Sequence, residues 1–369
     1  MSGLLTNSLT LRALYTVAMG RAFLRYRDPR RREADSHRVA FYDRAWREAA
    51  EALGATWEPL GAGISEIALD GWRTRVVENT CAIDDPVTLA VLADKALTHR
   101  IVEAEAVPVP RHATFTLKTI GRAEQFIGQV GGDCVVKPAA GTGGGRGVTT
   151  GVRSTFHLAR ASAAAAVYGE QLLIEEQVAG DNYRLLYLDG ELVDAFVRTP
   201  PGVTGDGRSS VAALVRAAND ERLRTRAGLS QVLLTVDLDM RRTLAKQGLT
   251  LRSVPKPGQR VVLKTVVNEN GGADNVCAMD VLCPAVVREC AKAVLALRVR
   301  LAGVDVITRD PSRPLREAGG VVLEVNAPPN FYYHYHKRGG AYPVAKHVVA
   351  RLMHGREAEF EPAEVAHGR

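Results

Sequence analysis

A lysine followed by a run of glycines is the first group of residues that could do chemistry. The segment VKPAAGTGGGRGV begins at Val136, places Lys137 at the end of an apolar run and carries five glycines between Gly141 and Gly147. Glycines let consecutive backbone N–H groups converge on an anion and let the chain approach a phosphate closely. The spacing is not that of a Walker loop, because no Gly-Lys-Ser/Thr follows, and Arg146 breaks the G-x-G-x-x-G pattern. We expect a phosphate-binding loop, with a flexible surface loop as the alternative.

Three oxygen-bearing side chains on two apolar runs form the second group. Asp305 lies in GVDVIT (303–308), and Glu324 and Asn326 lie in VVLEVN (321–326). Residues two apart on a strand point to the same face, so Glu324 and Asn326 project together. Hard oxygen ligands that are completed by phosphates suit Mg²⁺. The pattern predicts a magnesium site, which Mn²⁺ could also occupy, and a surface-facing polar alternation is the alternative.

The third group lies at the end of an apolar run that finishes in two acids. Glu175, Glu176, Gln177 and Val178 are followed by Gly-Asp-Asn at 180–182. Backbone groups at such a strand end could hold an adenine edge, and a carboxylate or amide beyond it could bind a ribose. Taken alone, this pattern does not separate a nucleotide hinge from an ordinary strand end.

The elements that must position these groups are strands and helices in mixed order. The predicted strands are 134–138, 172–176, 183–188, 191–198, 261–267, 303–308 and 321–326. The predicted helices are 38–53, 86–104, 153–168, 208–225 and 284–301. Asp189-Gly190 predicts a tight hairpin between two of the strands. Antiparallel hairpins among helices favour an α+β (mixed α/β) architecture. The basic segment YRDPRRR (26–32) is predicted as a solvated loop, with an arm that binds phosphate or nucleic acid as the alternative.

Composition limits the class of protein. The 369 residues are 46% hydrophobic and 24% charged, which excludes a disordered tail or a fibre and fits two to three domains. The net charge of +7 suits anionic small substrates as well as nucleic acid. Five cysteines without a C-x-x-C motif indicate reduced thiols in a cytoplasmic protein. No apolar run reaches the roughly 18 residues of a membrane span, and no signal peptide is predicted.

In this order, the motifs resemble the ATP-grasp superfamily, and within it most closely the ATP-grasp module of cyanophycin synthetases, with glutathione synthetase-type ligases next. The resemblance covers residues 88–350 and is carried by KPAAGTGGGRGV, EEQVAGDNYRLLYLDGELV, RTPPGVTGDGRSSV, NENGGADN and VDVITRDPSRPLREAGGVVLEVNAPPN. It implies the ATP-grasp fold, with two α+β lobes that sandwich ATP. The expected domains are a small N-terminal domain (1–87), a small lobe with the glycine lid (88–170), and a C-terminal lobe with hinge, metal site and acceptor region (171–369).

The resemblance also implies roles for individual residues. Lys95 and Lys137 correspond to the two lysines that contact ATP phosphates. The lid over the triphosphate corresponds to Gly141, Thr142, Gly143, Gly144, Gly145, Arg146 and Gly147. The adenine hinge corresponds to Glu175, Glu176 and Val178, and the ribose contact to Asn182 or Asp181. The magnesium ligands correspond to Asp305, Glu324 and Asn326, and Arg184 and Arg198 match residues that face phosphate or substrate carboxylate.

One position departs from the related D-alanine dipeptide ligases. Those enzymes carry an arginine two residues before the first metal ligand, whereas this chain has Gly303. Another cation must then neutralise the same charge. We expect Lys264 or Arg198 to take that role.

A dense aromatic and basic segment, FYYHYHKR (331–338), follows the proposed metal site. We hypothesise that it shapes the acceptor pocket, with a histidine or lysine that binds a carboxylate or assists amine deprotonation. The candidate residues are Tyr332, His334, His336, Lys337 and Arg338. Aromatic packing under a surface loop is the alternative.

The reaction that the resemblance implies is ATP-dependent amide formation. A carboxylate attacks the γ-phosphate to give an acyl phosphate, and an amine then displaces phosphate. Lysines, arginines and Mg²⁺ would act by positioning and neutralising charge, without a protein nucleophile. The expected substrates are a small carboxylate and a small amine, with no nucleic acid or membrane partner, and a homodimer is left open.

Three other functions stay open from the residues. They are a small-molecule kinase, an ester-forming ligase and a non-catalytic nucleotide-binding protein. Cyanophycin synthetases also carry a Mur-ligase-like ATPase, but this sequence has no Gly-Lys-Thr/Ser loop. A single-step ligase is therefore the expectation.

Overall fold

A computed structural model describes residues 8–141, 145–224 and 233–354. The helices are Ser8–Tyr26 (α1), Pro29–Ala52 (α2), Pro86–Ala93 (α3), Lys95–Ala104 (α4), Ile120–Val130 (α5), Thr155–Ala165 (α6), Val211–Arg224 (α7), Leu238–Lys246 (α8), Pro284–Ala296 (α9), Leu315–Ala318 (α10), Tyr332–His336 (α11) and Val344–His354 (α12). The first eight strands are Thr56–Gly61 (β1), Ile64–Leu69 (β2), Trp72–Val77 (β3), Thr80–Cys81 (β4), His112–Phe115 (β5), Cys134–Pro138 (β6), Thr149–Val152 (β7) and Leu172–Glu176 (β8). The remaining strands are Asp181–Leu188 (β9), Glu191–Arg198 (β10), Gly202–Thr204 (β11), Arg260–Val262 (β12), Asn275–Cys277 (β13), Leu301–Thr308 (β14) and Val321–Asn326 (β15).

The N-terminal part combines α2 with an antiparallel four-stranded meander in the order β1-β2-β3-β4, whereas α1 packs on α6 beside the second sheet. Helix α2 begins where the Asp28 carboxylate accepts a hydrogen bond from the Arg30 amide at 3.1 Å, with Pro29 in the first turn. This cap and a proline at the start are ordinary helix-initiating features. The predicted solvated loop at 26–32 is therefore wrong, because the proline starts a helix there and does not interrupt one.

A second antiparallel sheet, in the order β5-β8-β6-β7, carries the glycine-rich segment between β6 and β7. Strands β6 and β8 have the predicted bounds, and the expected helix at 153–168 runs from Thr155 to Ala165. Gly147 has φ of +77°, and a Cβ there would meet the side chains of Tyr168 and Pro138. Only glycine fits this position without strain. Strand β8 joins this sheet, so the sheet continues past residue 170.

The largest sheet has the order β13-β10-β9-β14-β15, and its neighbouring strands are antiparallel. Strands β9 and β10 form the predicted hairpin, in which Asp189 and Gly190 both have positive φ. Strand β15 has the predicted bounds, and β14 begins at Leu301, earlier than expected. The register pairs Asp305 with Glu324 and Gly303 with Asn326, which brings the predicted metal ligands onto adjacent strands.

Several predicted elements have different bounds in the structure, and the helix expected at 38–53 is the longer α2, which begins at Pro29 and ends at Ala52. The helix expected at 86–104 is divided at Asp94, whose carboxylate caps α4 by accepting hydrogen bonds from the amides of Ala96 and Leu97, both at 3.0 Å. The helix expected at 284–301 ends at Ala296, before β14 begins. The strand expected at 261–267 is confined to β12, which pairs with β11 in a small two-stranded sheet beside α7 and α8.

Buried side chains join the N-terminal part to the end of the described chain. Phe41, Tyr42 and Trp46 of α2 pack in one core cluster with Phe331 and with α12. Among the residues that the structure describes, no helix combines the length and the apolarity needed to cross a lipid bilayer.

Candidate active site

A cavity of about 610 Å³ opens between the second sheet (β5-β8-β6-β7) and the largest sheet. Many residues predicted from the sequence line it: Lys95, Lys137, Gly145, Glu175, Glu176, Val178, Asp181, Asn182, Arg184, Arg198, Asp305, Glu324 and Asn326. Of the other lid positions, Gly141, Arg146 and Gly147 do not line the cavity, and Thr142, Gly143 and Gly144 lie outside the described residues. The fold thus brings together side chains that are more than 200 positions apart in the chain.

Two lysines reach the cavity from different elements, and each contacts a carboxylate. The Lys137 Nζ lies 2.8 Å from the Glu175 Oε2, and both side chains are buried. Lys95 is the first residue of α4, and its Nζ lies 3.4 Å from the Glu324 Oε1. Buried charges persist only when they are paired. These pairs hold both ammonium groups at the cavity, where phosphate oxygens could compete with the carboxylates.

Asp305 is the centre of a charged cluster on the largest sheet. Arg184 donates to both of its carboxylate oxygens, from Nε at 2.7 Å and from Nη2 at 3.0 Å. The Asn326 Nδ2 donates to Asp305 at 3.1 Å, and the Arg198 Nη1 lies 3.6 Å away. Two guanidinium groups therefore face one carboxylate, which leaves net positive charge for an anionic ligand.

Arg198 carries a donor that this cluster leaves unused. The side chain is buried, and its Nε has no hydrogen-bond partner among the described residues. Burial lowers the pKa of the guanidinium, and nearby Asp305 opposes that effect. A buried donor without a partner is costly. The Nε is therefore suited to an oxygen of a bound ligand.

The donor chemistry at Asp305, Glu324 and Asn326 fits a magnesium ion. Within the described ranges, no group of three or more His, Cys, Asp or Glu side chains could hold a metal. Two carboxylates and an amide nevertheless supply the hard oxygens that Mg²⁺ binds together with nucleotide phosphates. The Glu324 side chain is 31% exposed, whereas that of Asp305 is 7% exposed and held by Arg184. Glu324 is thus the more open of the two carboxylates.

The segment between β8 and β9 forms the wall where the adenine hinge is predicted. Gly180 has φ of +149°, and a Cβ there would overlap the backbone of Thr308. This close approach fixes the turn that leads into Asn182. The Asn182 Oδ1 is buried without a hydrogen-bond partner among the described residues, and the residue lines the cavity. An orphaned amide oxygen at this wall is suited to a ligand hydroxyl, as expected for a ribose contact.

Lys264 lies outside the cavity lining. Its Nζ contacts the Asp237 Oδ2 at 2.6 Å and the Glu269 Oε1 at 2.8 Å. Burial disfavours its charged form, but the two carboxylates outweigh burial and raise the pKa. Of the two cations proposed to compensate for Gly303, the structure places only Arg198 at Asp305. A Cβ at Gly303 would overlap the Arg184 Nη1, so Arg184 fills the space beside that glycine.

The aromatic segment is packed inside the protein. His334 is fully buried, and its Nδ1 lies 2.6 Å from the Asp194 Oδ2, while the Lys337 Nζ lies 3.0 Å from the same oxygen. Burial lowers the pKa of His334, against the effect of Asp194. His336 contacts the Tyr332 ring, with centroids 4.3 Å apart. This arrangement matches the packing alternative.

None of the five predicted acceptor residues lines the cavity: Tyr332, His334, His336, Lys337 and Arg338 all lie outside its lining. Their neighbours Asn330 and Tyr333 do line it, as do Asn79 and Phe196. Sequence reasoning missed these residues because the sequence of a turn, a strand or an aromatic run does not reveal which side chain faces a cavity between distant elements. The Tyr333 ring lies 5.8 Å from the Arg198 guanidinium carbon.

Comparisons with known proteins agree with the motif resemblance. No protein-family model matches the chain. The chain is 36% identical to a cyanophycin synthetase from Nostoc sp. over 308 residues, which cover 82% of this chain and 33% of that protein. It is 30% identical to the glutathione biosynthesis bifunctional protein GshAB of Enterococcus faecalis over 271 residues, covering 71% and 35% of the two chains. The chain thus spans about a third of the length of these curated relatives.

A solved structure supports the fold. The crystal structure of a bifunctional glutathione synthetase from Pasteurella multocida superposes with a TM-score of 0.52 at 22% identity, covering 83% of this chain and 43% of that one. The mixed α/β architecture and the ATP-grasp fold predicted from the motifs are confirmed. The resemblance to cyanophycin synthetase and glutathione synthetase-type proteins is likewise confirmed.

Proposed function

We propose that the protein is an ATP-dependent ligase that joins a carboxylate to an amine through an acyl phosphate. The observation that carries the proposal is the convergence of two lysines, two arginines and the Asp305–Glu324–Asn326 group on one cavity. The cyanophycin synthetase and the glutathione biosynthesis protein among its relatives support the same class of reaction. The cation surplus suits a reaction in which every reactant except the amine is anionic.

The described side chains have separate tasks in this reaction. Lys95 and Lys137 bind phosphate oxygens, and Arg184 and Arg198 hold the oxygens that gain charge when the substrate carboxylate attacks the γ-phosphorus. Bound through Glu324, Asn326 and Asp305, Mg²⁺ or Mn²⁺ would neutralise phosphate charge. Charge stabilisation and alignment suffice, since the substrate carboxylate and the amine are themselves the nucleophiles.

The substrates that we propose are small molecules. An amino acid, a peptide or a related natural-product acid would supply the carboxylate, and a second amino acid or small amine would supply the nucleophile. Neither nucleic acid nor a membrane takes part in the proposed reaction. The cytoplasm, with its ATP and reduced thiols, is the compartment that suits it.

The test measures turnover with a panel of substrates. Purified protein is incubated with MgATP and pairs of amino acids and dipeptides, and phosphate release is recorded. The active carboxylate is then labelled with ¹⁸O. A ligase transfers one ¹⁸O into the released phosphate, because the acyl phosphate breaks at the acyl carbon. A kinase would leave a phosphorylated product without free phosphate, and that result would overturn the proposal.

A further inference from the structure

The pairing of β14 with β9 and β15 shows in which direction the cavity extends from the hinge wall. Asn182 of the hinge wall pairs with Ile307, which pairs with Val321 at the start of β15. Along β15, Glu324 and Asn326 follow, and the chain then passes to Pro328. At about 3.3 Å per residue, Glu324 and Asn326 lie roughly 7 Å apart along the strand, and Pro328 and Asn330, which follow the strand, also line the cavity. The cavity therefore extends past the proposed metal ligands, away from the hinge.

At this far end, the N-terminal part contributes a residue to the cavity. Asn79 lines it from the tight turn between β3 and β4, where Val77 pairs with Thr80. The preceding residue, Glu78, has φ of +48°, and its carbonyl accepts a hydrogen bond from the Trp46 Nε1 at 2.6 Å. The turn is thus held in a fixed shape against α2.

The hydrogen bonds of Asn79 fix the orientation of its amide. The Nδ2 donates to the Pro328 carbonyl at 2.9 Å and to the Pro329 carbonyl at 3.2 Å. Two carbonyl acceptors require the nitrogen on that side, so the oxygen must face the other way. The structure shows no hydrogen bond to the Asn79 Oδ1 from any residue that it describes. Because Asn79 lines the cavity and its Nδ2 is held by the two carbonyls, its Oδ1 is a neutral acceptor with a fixed orientation at this end of the cavity.

A neutral acceptor binds a different kind of ligand group than the cationic side chains that line the rest of the cavity. Lys95, Lys137, Arg184 and Arg198 attract anions and repel a cationic nitrogen. An amide oxygen accepts a hydrogen bond from N–H and offers nothing to a carboxylate or phosphate oxygen. Asn79 lies beyond the proposed metal ligands and on the opposite side of them from the hinge wall, a position that suits a substrate other than the nucleotide.

We propose that Asn79 is a substrate-binding residue that accepts a hydrogen bond from the amine substrate, so that the N-terminal part contributes to the choice of amine. The inference rests on the proposed ligase function. It assigns the amine end of the cavity to a residue outside the motifs that carry the family resemblance.

The test compares the variants Asn79→Ala and Asn79→Asp with a neighbouring control, Thr80→Ala, in the full chain. Thr80 follows Asn79 in the turn but does not line the cavity. Each protein is assayed with MgATP, the carboxylate that gives the highest turnover in the panel, and either the best amino-acid amine or hydroxylamine. Hydroxylamine traps an acyl phosphate as a hydroxamate and is too small to need a binding site of its own.

We expect the N79A protein to show an increase of about tenfold in the KM for the amine, the size expected for one hydrogen bond to a charged or polarised donor. Hydroxamate formation and MgADP affinity should stay within about twofold of wild type. The N79D protein keeps an acceptor oxygen but loses the donor to the Pro328 and Pro329 carbonyls, so its KM for the amine should lie between those of the N79A and wild-type proteins. The T80A protein should behave as wild type in every assay.

Two results would overturn the assignment while leaving the ligase function intact. One is an unchanged amine KM in the N79A protein. The other is an equal loss of amide and hydroxamate formation in both Asn79 variants, which would show that the residue only holds the Pro328–Pro329 backbone. Absence of hydroxamate with wild-type protein would instead reject the ligase function itself.

Discussion

Glu324 is where the chemistry of the site can be tested at a single residue. Its carboxylate contacts Lys95 and remains partly exposed, so it is available to a metal bound to phosphate. We predict that Glu324→Ala lowers ADP formation by roughly 100-fold or more, because charge stabilisation in the transition state is lost. The control is Glu103→Ala, which removes an exposed carboxylate from α4, the helix whose first residue is Lys95. Near-normal ADP release by the E324A protein would contradict the metal-site assignment.

His99 gives a second prediction, on stability. It is buried behind the cavity, its Nε2 lies 2.9 Å from the Leu323 carbonyl oxygen, and burial together with Lys137 lowers its pKa to about 3. An unfolded histidine binds a proton below about pH 6.5, whereas the folded one does not until about pH 3. The free energy of unfolding should therefore fall by about 1 kcal/mol per pH unit below pH 6.5 from this residue alone.

Urea midpoints between pH 7 and pH 5 measure this effect. The His99→Gln protein can still donate to the Leu323 carbonyl but cannot titrate, so its stability should vary less with pH in this range. Removal of an exposed histidine, in the His354→Gln protein, should leave the wild-type dependence unchanged. Equal slopes for the wild-type and H99Q proteins would show that His99 does not set the acid limit.

Residue types alone were enough to predict part of the site. Lys137 before a glycine run, and Asp305 with Glu324 on predicted neighbouring strands, indicated anion and metal chemistry, and the structure brings them to one cavity. Asn79 and Tyr333 could not be found this way. Their roles depend on which side chain of a turn or aromatic run points inward, and that is decided by packing between distant parts of the chain.

At the scale of elements, local signals predicted strands better than helix ends. Strands β6, β8 and β15 have the predicted bounds because short apolar runs ended by proline or by charged and polar residues leave little choice. The division at Asp94 was missed because the residues around it continue a helical pattern. Only the capping carboxylate and the contact of the Lys95 amide with the Ala139 carbonyl oxygen, at 3.1 Å, explain the break. That break sets the start of the helix that presents Lys95.

The close packing of β14 against β9 at Gly303 and Arg184 can be tested by substitution. Gly303 leaves room for Arg184, so Gly303→Ala should push the guanidinium away from Asp305. We predict a loss of at least about tenfold in kcat/KM, since a misplaced charge at the reacting group is costly. The control is Gly128→Ala on α5, where no atom lies within 4 Å of the added Cβ. That change should leave activity intact and add about 0.5–1 kcal/mol of stability. Wild-type activity in the G303A protein would show that the Arg184–Asp305 pair is dispensable.

At the scale of the whole molecule, the cavity depends on parts that are far apart in sequence. The N-terminal helix α2 packs on the segment that follows the metal ligands, and the Tyr42 hydroxyl accepts a hydrogen bond from the Phe331 amide at 3.3 Å. Sequence reasoning assigned residues 1–87 by position only, because they carry no motif. Their contribution to the site follows from burial of aromatic side chains from both ends of the described chain.

The cavity is lined by residues of two large sheets and of the N-terminal part. A bound ligand should therefore stabilise these parts together against unfolding. We predict that MgADP at about 100 times its Kd raises the free energy of unfolding by about 2.7 kcal/mol, by mass action on the folded state. A single unfolding transition should move to higher temperature. It is measured by far-UV circular dichroism and by tryptophan fluorescence, which reports the N-terminal part because Trp46, Trp57 and Trp72 lie in α2, β1 and β3. The Lys137→Met protein should respond less at the same concentration, because it lacks one phosphate contact. If MgADP shifted only the circular dichroism signal, the N-terminal part would unfold independently of the nucleotide lobes, and its packing against the segment after β15 could not be holding the far end of the cavity in place.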